Sequence, residues 1–178
     1  MVSIIIMTIG EITYHWQEGT DVIHITPEAY QSILSQAQHD APIESCGYAL
    51  GSETDDGILI TENRPLTNID HSAEHFSFDP KEQFAAIKYA RQQGLKVIGN
   101  WHSHPASPSR PSEEDKRLAF DPTALYFILS LAPDVSGAPY TPPGEPVLNA
   151  FRIVNGTVTR FPVVIRLRAP LEELGIRN

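Results

Sequence analysis

Cysteine is almost absent from this sequence, since Cys46 is the only one in 178 residues. A single cysteine cannot form a disulfide within the chain, so nothing indicates an oxidising compartment. Long apolar runs are absent as well, because the opening run at residues 2–9 is far shorter than the ~20 residues of a membrane-spanning helix. That opening also lacks the cationic lead and the small-residue cleavage site of a secretory signal. We therefore expect a cytoplasmic protein, with residues 1–20 as an N-terminal extension.

Positive charge is scarce in this chain. It has 13 lysines and arginines against 22 aspartates and glutamates, which gives a formal charge of -9 and a pI of about 5.1. Nucleic acids and anionic membranes would be repelled, so neither is expected as a partner. The hydrophobic content of 41% is ordinary for a globular protein, and the length suits one domain. Residues 21–168 are expected to form that domain, with 169–178 as a tail.

Apolar periodicity and turn residues predict a mixed α/β fold with a single β-sheet flanked by helices. Thr26, Pro27 and Glu28 form a typical helix start, with a capping hydroxyl, a proline in the first turn and an acid at the positive end of the helix dipole. Helices are predicted at 27–39, 80–94 and 112–120, with a last helical turn at 170–175. Strands are predicted at 22–25, 43–52, 57–62, 75–78, 97–102, 125–131, 147–154 and 158–165.

Two histidines, His102 and His104, stand at the end of the predicted strand 97–102. Side chains two residues apart on a strand point to the same face, so both imidazoles can reach one metal ion. Catalytic zinc usually takes three protein ligands and leaves its fourth position open. Asp115 is the best candidate for the third ligand, because it lies in the first turn of the helix after a proline-rich loop, where a carboxylate is favoured.

Each piece of this pattern also has a simpler interpretation. An H-x-H pair alone is a weak indication of a metal site. Ser112 and Asp115 are spaced as in a capping box, in which a serine caps the helix and an acidic side chain returns the hydrogen bond, and that pair alone is more typical of structure than of catalysis. Other zinc motifs are excluded. H-E-x-x-H is absent, Ala106 and Ser107 replace the ligands of an H-x-H-x-D-H site, and the cysteine pair of zinc deaminases is missing.

The combined spacing is far more specific than its parts. The stretch HSHPASPSRPSEED, from His102 to Asp115, resembles the JAMM motif of the JAB/MPN metallopeptidase family. Upstream, the stretch ESCGYALG, from Glu44 to Gly51, resembles the segment that carries the family's glutamate. The resemblance covers about residues 22–165 and implies an MPN/JAB (cytidine-deaminase-like) domain.

The resemblance also implies a role for each residue of the motif. His102, His104 and Asp115 would bind Zn2+, with a water as the fourth ligand. Glu44 would hold that water, take its proton during attack on the carbonyl carbon, and pass the proton to the leaving amine. Ser112 would stabilise the oxyanion together with the metal. Since zinc lowers the pKa of bound water to roughly 7, a carboxylate that is not itself a ligand is needed to move the proton.

A zinc-dependent peptidase or isopeptidase is therefore the expected activity. By resemblance, its substrates are the C-terminal tails of ubiquitin-like proteins, including small prokaryotic sulfur-carrier proteins, and the compact chain fits a stand-alone prokaryotic enzyme. Two alternatives stay open, a catalytically silent MPN protein-binding scaffold and a zinc amidase that acts on a small molecule. An amidase needs a closed pocket, whereas a tail peptidase needs an open groove. The irregular segment 132–146 either lines that groove or only links two strands.

Several neighbours of the motif have structural interpretations. Cys46 is expected to be a small buried hydrophobe rather than a ligand, because the site already has three. Trp101 is expected to fill the core, and Ser103 to hydrogen-bond to the backbone or to orient the site. His71 and His75 lie in a polar loop, where exposure is the default and a second metal site is a remote alternative.

Overall fold

The computed structural model describes residues 4–9, 12–17, 22–54, 57–132 and 145–166. In the first two ranges, strands β1 (Ile4–Ile9) and β2 (Ile12–Gln17) pair antiparallel as a separate two-stranded sheet. The helical turn predicted at 170–175 and most of the loop predicted at 132–146 lie outside the described residues. The boundaries of the extension, the domain and the tail stay predictions.

An eight-stranded sheet carries the rest of the fold. Its strands and their helices follow the chain as β3 (Ile23–Ile25), α1 (Pro27–Asp40), β4 (Cys46–Thr54), β5 (Gly57–Leu66), α2 (Pro80–Gln92), β6 (Lys96–His104), α3 (Glu113–Leu118), β7 (Leu125–Ser130), β8 (Val147–Val154), β9 (Thr157–Phe161) and β10 (Val163–Ile165). The strand order is β10-β3-β5-β4-β6-β7-β8-β9, with parallel and antiparallel pairs mixed. The predicted α/β class, with a mixed sheet flanked by helices, is confirmed.

The chain passes directly from one edge of this sheet to the other at Pro162. β9 pairs with β8, whereas β10 follows after one residue and pairs with β3 at the opposite end of the strand order. Pro162 has no N–H to donate, and its carbonyl oxygen accepts from Ile23 N at 3.0 Å. The sheet must therefore curl until its two edges meet. The sequence predicted one strand over 158–165, and the proline divides it into two.

Helix α1 covers one face of the sheet. Its N-cap residue Thr26 accepts a hydrogen bond from Ala29 N through Oγ1, at 3.2 Å. Ala29, Ile33 and Ala37 recur at helical spacing and are buried. They belong to the main hydrophobic core, which also contains Trp101 of β6. The predicted apolar face of the helix and the predicted core position of the tryptophan are confirmed.

Strand β6 lies in the middle of the sheet, antiparallel to β4 and parallel to β7. It runs two residues further than predicted, so both histidines belong to the strand itself. Trp101 faces the core under α1, while His102 and His104 lie on the opposite face, as the alternation of a strand requires. Gly47 of β4 makes room for the indole, because a Cβ there would lie 2.7 Å from Trp101 Nε1 and 2.5 Å from the carbonyl oxygen of Arg64.

Helix α2 lies on the histidine face. Tyr48 of β4 is the cross-strand partner of Asn100, which precedes His102 by two residues and therefore shares its face. Gln83 of α2 donates a hydrogen bond from Nε2 to Tyr48 Oη at 3.0 Å. The helix ends at Gln92, slightly before the predicted end at Gly94, whose φ of +69° suits a glycine stop.

Other predicted elements also differ from the structure. The strand predicted at 75–78 is a single bridge between Asn68 and Phe78, because the segment around it forms turns. Helix α3 ends at Leu118 rather than near residue 120. In the part of the chain that the structure describes, no helix is both long enough and apolar enough to cross a membrane.

Trp101→Phe is expected to destabilise the fold. Trp101 Nε1 donates to Asn63 Oδ1 at 2.7 Å, and Asn63 Nδ2 donates to Ser32 and Gln36 of α1, both at 3.2 Å. The variant leaves the buried Asn63 oxygen without this donor and opens a void, so the free energy of unfolding should fall by about 2–4 kcal/mol in urea titrations. Phe84→Leu, at a residue that is 71% exposed, is the control and should change it by less than about 0.5 kcal/mol. Equal unfolding midpoints for Trp101→Phe and the wild type would refute this role of the indole.

Candidate metal centre

The C-terminal end of β6 brings two imidazoles together. His102 and His104 are 2% and 5% exposed, and their Nε2 atoms are 3.0 Å apart. His104 Nδ1 lies 2.9 Å from the carbonyl oxygen of Pro108. Because a carbonyl can only accept, Nδ1 donates this hydrogen bond, and in the neutral imidazole the lone pair then lies on Nε2, which faces the candidate metal position. Burial lowers the pKa of His102, which favours the neutral form that binds metals.

Asp115 reaches the same point from the first turn of α3. Ser112 caps this helix, with Oγ accepting from Asp115 N at 3.1 Å and its own N–H donating to Asp115 Oδ2 at 2.7 Å, so the capping box is present. Asp115 Oδ1 lies 3.4 Å from His102 Nε2, and Oδ2 lies 3.8 Å from His104 Nε2. Burial opposes the charged form, but the two adjacent imidazoles hold the pKa of Asp115 well below its usual range. This carboxyl is therefore ionised.

The donor atoms of His102, His104 and Asp115 fit one metal ion of the size of zinc. Ligand atoms about 2.1 Å from a tetrahedral zinc ion lie about 3.4 Å from one another. In this structure the two Nε2 atoms are 3.0 Å apart. His102 Nε2 lies 3.4 Å from Asp115 Oδ1, and His104 Nε2 lies 3.8 Å from Asp115 Oδ2. Imidazole and carboxylate are also donors that zinc uses in catalytic sites. Both the geometry and the chemistry of the set are thus compatible with zinc.

Glu44 also approaches the two histidines. One of its carboxylate oxygens and one nitrogen of each imidazole lie within 4.8 Å of one another. Glu44 is 4% exposed and stands two residues before β4, where its N–H donates to the carbonyl oxygen of Ser72 at 2.9 Å. Burial raises the pKa of Glu44 to about 7, partly opposed by His104 and reinforced by Asp115. A carboxyl group that titrates near neutrality is suited to proton transfer.

Two possible ligand sets therefore share the histidines. One adds Asp115, as the sequence predicted, and the other adds Glu44, which forms a cluster of potential ligands with His102 and His104. Asp115 is held in its charged form by the imidazoles, whereas the buried Glu44 is easily protonated. A permanent anion suits a metal ligand, and a group with a pKa near neutrality suits a proton carrier. The surroundings of Asp115 therefore suit a metal ligand, and those of Glu44 suit a proton carrier.

The proline-rich loop after β6 is fixed to the neighbouring strands. Ser130 Oγ, at the end of β7, donates to the carbonyl oxygen of Ser107 at 2.7 Å. Asn149 Nδ2, on β8, donates to the carbonyl oxygen of Ser109 at 3.0 Å. Pro108 lies between these two anchors, and its carbonyl oxygen accepts a hydrogen bond from His104 Nδ1. The loop thereby orients one of the imidazoles.

Ser103 and Cys46 have the structural roles that the sequence predicted. Ser103 Oγ accepts a hydrogen bond from Ser45 N at 2.8 Å, and Ser103 N donates to the carbonyl oxygen of Ser45 at 2.9 Å. These bonds tie the end of β6 to the segment that carries Glu44. Cys46 is fully buried, and burial raises the pKa of its thiol to about 12, so it stays protonated and lies outside the ligand cluster of the described residues.

Two residues that the sequence did not single out, Asn68 and Phe76, also support the site. Asn68 Nδ2 donates to the carbonyl oxygens of Glu44 at 2.9 Å and of His75 at 3.1 Å. The ring of Phe76 stacks on His102 with the ring centroids 4.7 Å apart. Asn68 lies between two predicted strands and Phe76 within the strand predicted at 75–78, and neither position distinguishes these residues from their neighbours.

The loop histidines are exposed, as predicted. His71 and His75 both lie in the irregular segment between β5 and α2, and His75 Nδ1 is 3.5 Å from Asp70 Oδ2. Across the described ranges, no cluster of three or more potential metal ligands contains either histidine. The structure thus supplies no support for a second metal site in this loop.

Comparison with known proteins shows the family to which this chain belongs. The chain matches the family model described as prokaryotic homologs of the JAB domain over residues 26–141. It is 29% identical over 142 residues to a protein of Mycobacterium tuberculosis named CysO-cysteine peptidase, covering 80% of this chain and 90% of that protein. It is 31% identical over 115 residues to a protein of Haloferax volcanii named desampylase, covering 61% of this chain and 80% of that protein.

A solved structure agrees with these matches. The solution structure of a protein from Desulfitobacterium hafniense is 39% identical, superposes with a TM-score of 0.71, and covers 83% of this chain and 94% of that one. The family match spans well over half of the chain and includes Glu44, both histidines of β6 and Asp115. The chain therefore belongs to the prokaryotic branch of the JAB domain family.

Proposed function

We propose that the protein is a zinc-dependent peptidase or isopeptidase. The observation on which this rests is the convergence of two buried imidazoles, a charged carboxylate and a second, buried carboxyl group at one point of the structure. Metal-assisted hydrolysis of an amide needs a ligand set with a free position and a separate group that moves the proton. His102, His104 and Asp115 are assigned as the ligands.

The proposed mechanism divides the chemistry between the metal and the chain. Zinc, when bound, supplies Lewis acidity, which polarises a carbonyl and lowers the pKa of water to about 7. Glu44 takes a proton from the attacking water and delivers it to the leaving amine. Ser112 stabilises the oxyanion. Its hydroxyl donates to Asp115 Oδ2 at 2.7 Å in the structure, so this proton must turn from the carboxylate to the substrate.

The substrate class is inferred from the relatives. A CysO-cysteine peptidase and a desampylase are both similar to this chain over most of its folded region. Together with the family membership, these names support a substrate in which a sulfur-carrier or ubiquitin-like protein is joined through its C-terminal tail to an amine. The bond that the enzyme cleaves is then the amide at the end of that tail.

Cleavage of such conjugates tests the proposal directly. The purified protein is incubated with sulfur-carrier and ubiquitin-like proteins extended by a cysteine or by a lysine-linked peptide, with and without a chelator, and the products are read by intact mass. The proposal predicts loss of the extension, inhibition by the chelator and recovery on addition of zinc. A silent scaffold would bind the tails without a change in mass. Unchanged rates in the chelator would contradict a metal-dependent reaction.

Glu44→Gln is expected to keep zinc and to lose cleavage. The amide retains the size of the side chain but cannot carry the proton, so kcat should fall by a factor of about 10²–10⁴. Glu113→Gln is the matched control, because this carboxylate is 92% exposed on α3, and its rate should stay within about twofold of the wild type. The proton-transfer role is refuted if Glu44→Gln cleaves as fast as the control.

His104→Ala is expected to lose the metal. Removing one of three protein ligands from a zinc site weakens binding by several orders of magnitude, so the variant should retain little zinc after dialysis against a weak chelator. His39→Ala, at a side chain that is 87% exposed, should keep the wild-type zinc content. Elemental analysis measures both proteins. One zinc per chain in His104→Ala would remove the ligand assignment.

A further inference from the structure

Glu44 lies just outside the sheet, and its main chain is held by a loop rather than by a neighbouring strand. β4 begins only at Cys46. The N–H of Glu44 donates to the carbonyl oxygen of Ser72, and the carbonyl oxygen of Glu44 accepts from Asn68 Nδ2, both at 2.9 Å. Both partners belong to loop 67–79, which connects β5 to α2. The position of this carboxyl group therefore depends on that loop.

The residues around Glu44 are held differently. Ser45 N donates to Ser103 Oγ at 2.8 Å, and the carbonyl oxygen of Ser45 accepts from Ser103 N at 2.9 Å, so Ser45 is bonded directly to β6. His102 and His104 are part of β6 itself. The imidazoles are thus fixed by the sheet, whereas Glu44 is fixed by loop 67–79. A displacement of this loop would move the proton carrier away from the imidazoles.

Asn68 joins the loop to Glu44 and also closes the loop on itself. Its Oδ1 accepts hydrogen bonds from Asp70 N at 3.1 Å and Ser77 N at 3.3 Å. Its Nδ2 donates to the carbonyl oxygens of Glu44 at 2.9 Å and of His75 at 3.1 Å. An amide group has two N–H donors and two acceptor lone pairs, so all of its hydrogen-bonding capacity is used. The side chain is 7% exposed, so water does not replace these bonds readily.

The start of the loop has a separate attachment. Glu82 of α2 accepts hydrogen bonds through its carboxylate from Thr67 N at 2.6 Å and from Thr67 Oγ1 at 2.9 Å. Without the Asn68 amide, the loop would stay attached to α2, but the carbonyl of Glu44 would lose its side-chain donor. A misplacement of about 1 Å can cost 10²-fold in the rate of an enzyme. The placement of Glu44 can therefore change without loss of the loop.

We propose that Asn68 is a positioning residue, which places Glu44 for proton transfer by holding its main chain to loop 67–79. The inference rests on the proposed function for the role of Glu44. The four hydrogen bonds of Asn68 reach none of the three assigned ligands, so Asn68 acts through Glu44 and not through the metal.

Kinetics of Asn68→Ala test this role. With a conjugate that the wild type cleaves, kcat should fall about tenfold to hundredfold, while KM stays within about twofold and the zinc content is unchanged. Thr26→Ala is the control, because it removes the N-cap of α1 and so weakens the fold without a contact to Glu44. Its kcat should stay within about twofold of the wild type. Equal kcat values for Asn68→Ala and Thr26→Ala would overturn the proposal.

Asn68→Ser separates the grip on Glu44 from the turn of the loop. A serine hydroxyl can still accept from Asp70 N and so maintain the local turn, although more weakly than the amide. The side chain is too short to reach the carbonyl of Glu44 as well. The proposal predicts a loss of kcat in this variant too. Wild-type kcat in Asn68→Ser would show that only the turn matters, which would contradict the proposal.

A double-mutant cycle shows whether Asn68 acts through the carboxylate of Glu44. In the Glu44→Gln background, Asn68→Ala should lower the residual rate by less than about twofold, because the group that Asn68 positions is already lost. The residual rates are measured by intact mass over long incubations. A full tenfold to hundredfold effect of Asn68→Ala in that background would show an independent action and overturn the proposal.

Hydrogen exchange tests the attachment without requiring cleavage. In the ¹⁵N-labelled protein, Asn68→Ala and Asn68→Ser should accelerate exchange of the Glu44 amide by about tenfold or more. The Ser45 amide, which is bonded to Ser103 Oγ, should stay within about threefold and serves as an internal control. Thr26→Ala should not separate the two amides. An unchanged Glu44 amide, or an equal acceleration of both amides, would overturn the proposal.

These experiments distinguish this inference from the proposed function. If the wild type cleaves conjugates and Asn68→Ala keeps its kcat, the positioning role is wrong and the proposed function stands. If Asn68→Ala frees the Glu44 amide but the wild type cleaves no conjugate, the attachment of Glu44 by Asn68 stands and the hydrolase assignment is wrong.

Discussion

The alternation of side chains along β6 is the constraint on which the site depends. This strand is hydrogen-bonded on both edges, to β4 and to β7, so its register is fixed. A shift by one residue would send every side chain to the other face of the sheet. Trp101 is anchored in the core under α1 by its packing and its bond to Asn63, and His102 and His104 are thereby held on the opposite face. The core and the candidate ligands are fixed by the same register.

The two carboxyl groups of the candidate site have different surroundings, which shift their pKa values in opposite directions. Asp115 is held in place by the capping box of α3, and the adjacent imidazoles keep it ionised. Glu44 is buried before β4, and this burial raises its pKa to about 7. Pairs of carboxyl groups with pKa values driven apart are a common way to obtain an anion and a proton carrier in one site. In this protein, the imidazoles beside Asp115 and the burial of Glu44 in front of β4 produce the difference.

The sequence predicts the parts of this structure that local patterns determine. Three features can be recognised without knowledge of the fold. They are the alternation of side chains in β6, the helix starts at Thr26 and Asp79, and the spacing from His102 to Asp115. Contacts between distant segments are not readable in the same way. Asn68 bonds to the carbonyl of a residue 24 positions away, and the division of a strand at Pro162 depends on where the opposite edge of the sheet lies. A cavity beside His102 is lined by segment 74–78, by α3 and the turn after it, and by β6, β7 and β8, so no short pattern indicates it.

We expect His102, His104 and Asp115 to hold one metal ion, with Glu44 close by but not bonded to it. A crystal structure of the zinc-loaded protein, with anomalous data collected on both sides of the zinc absorption edge, measures this directly. One zinc peak is expected, with His102, His104 and Asp115 at about 2.0–2.2 Å and the Glu44 carboxylate beyond bonding distance. Zinc bonded to Glu44 in place of Asp115, or no zinc peak between the histidines, would contradict it.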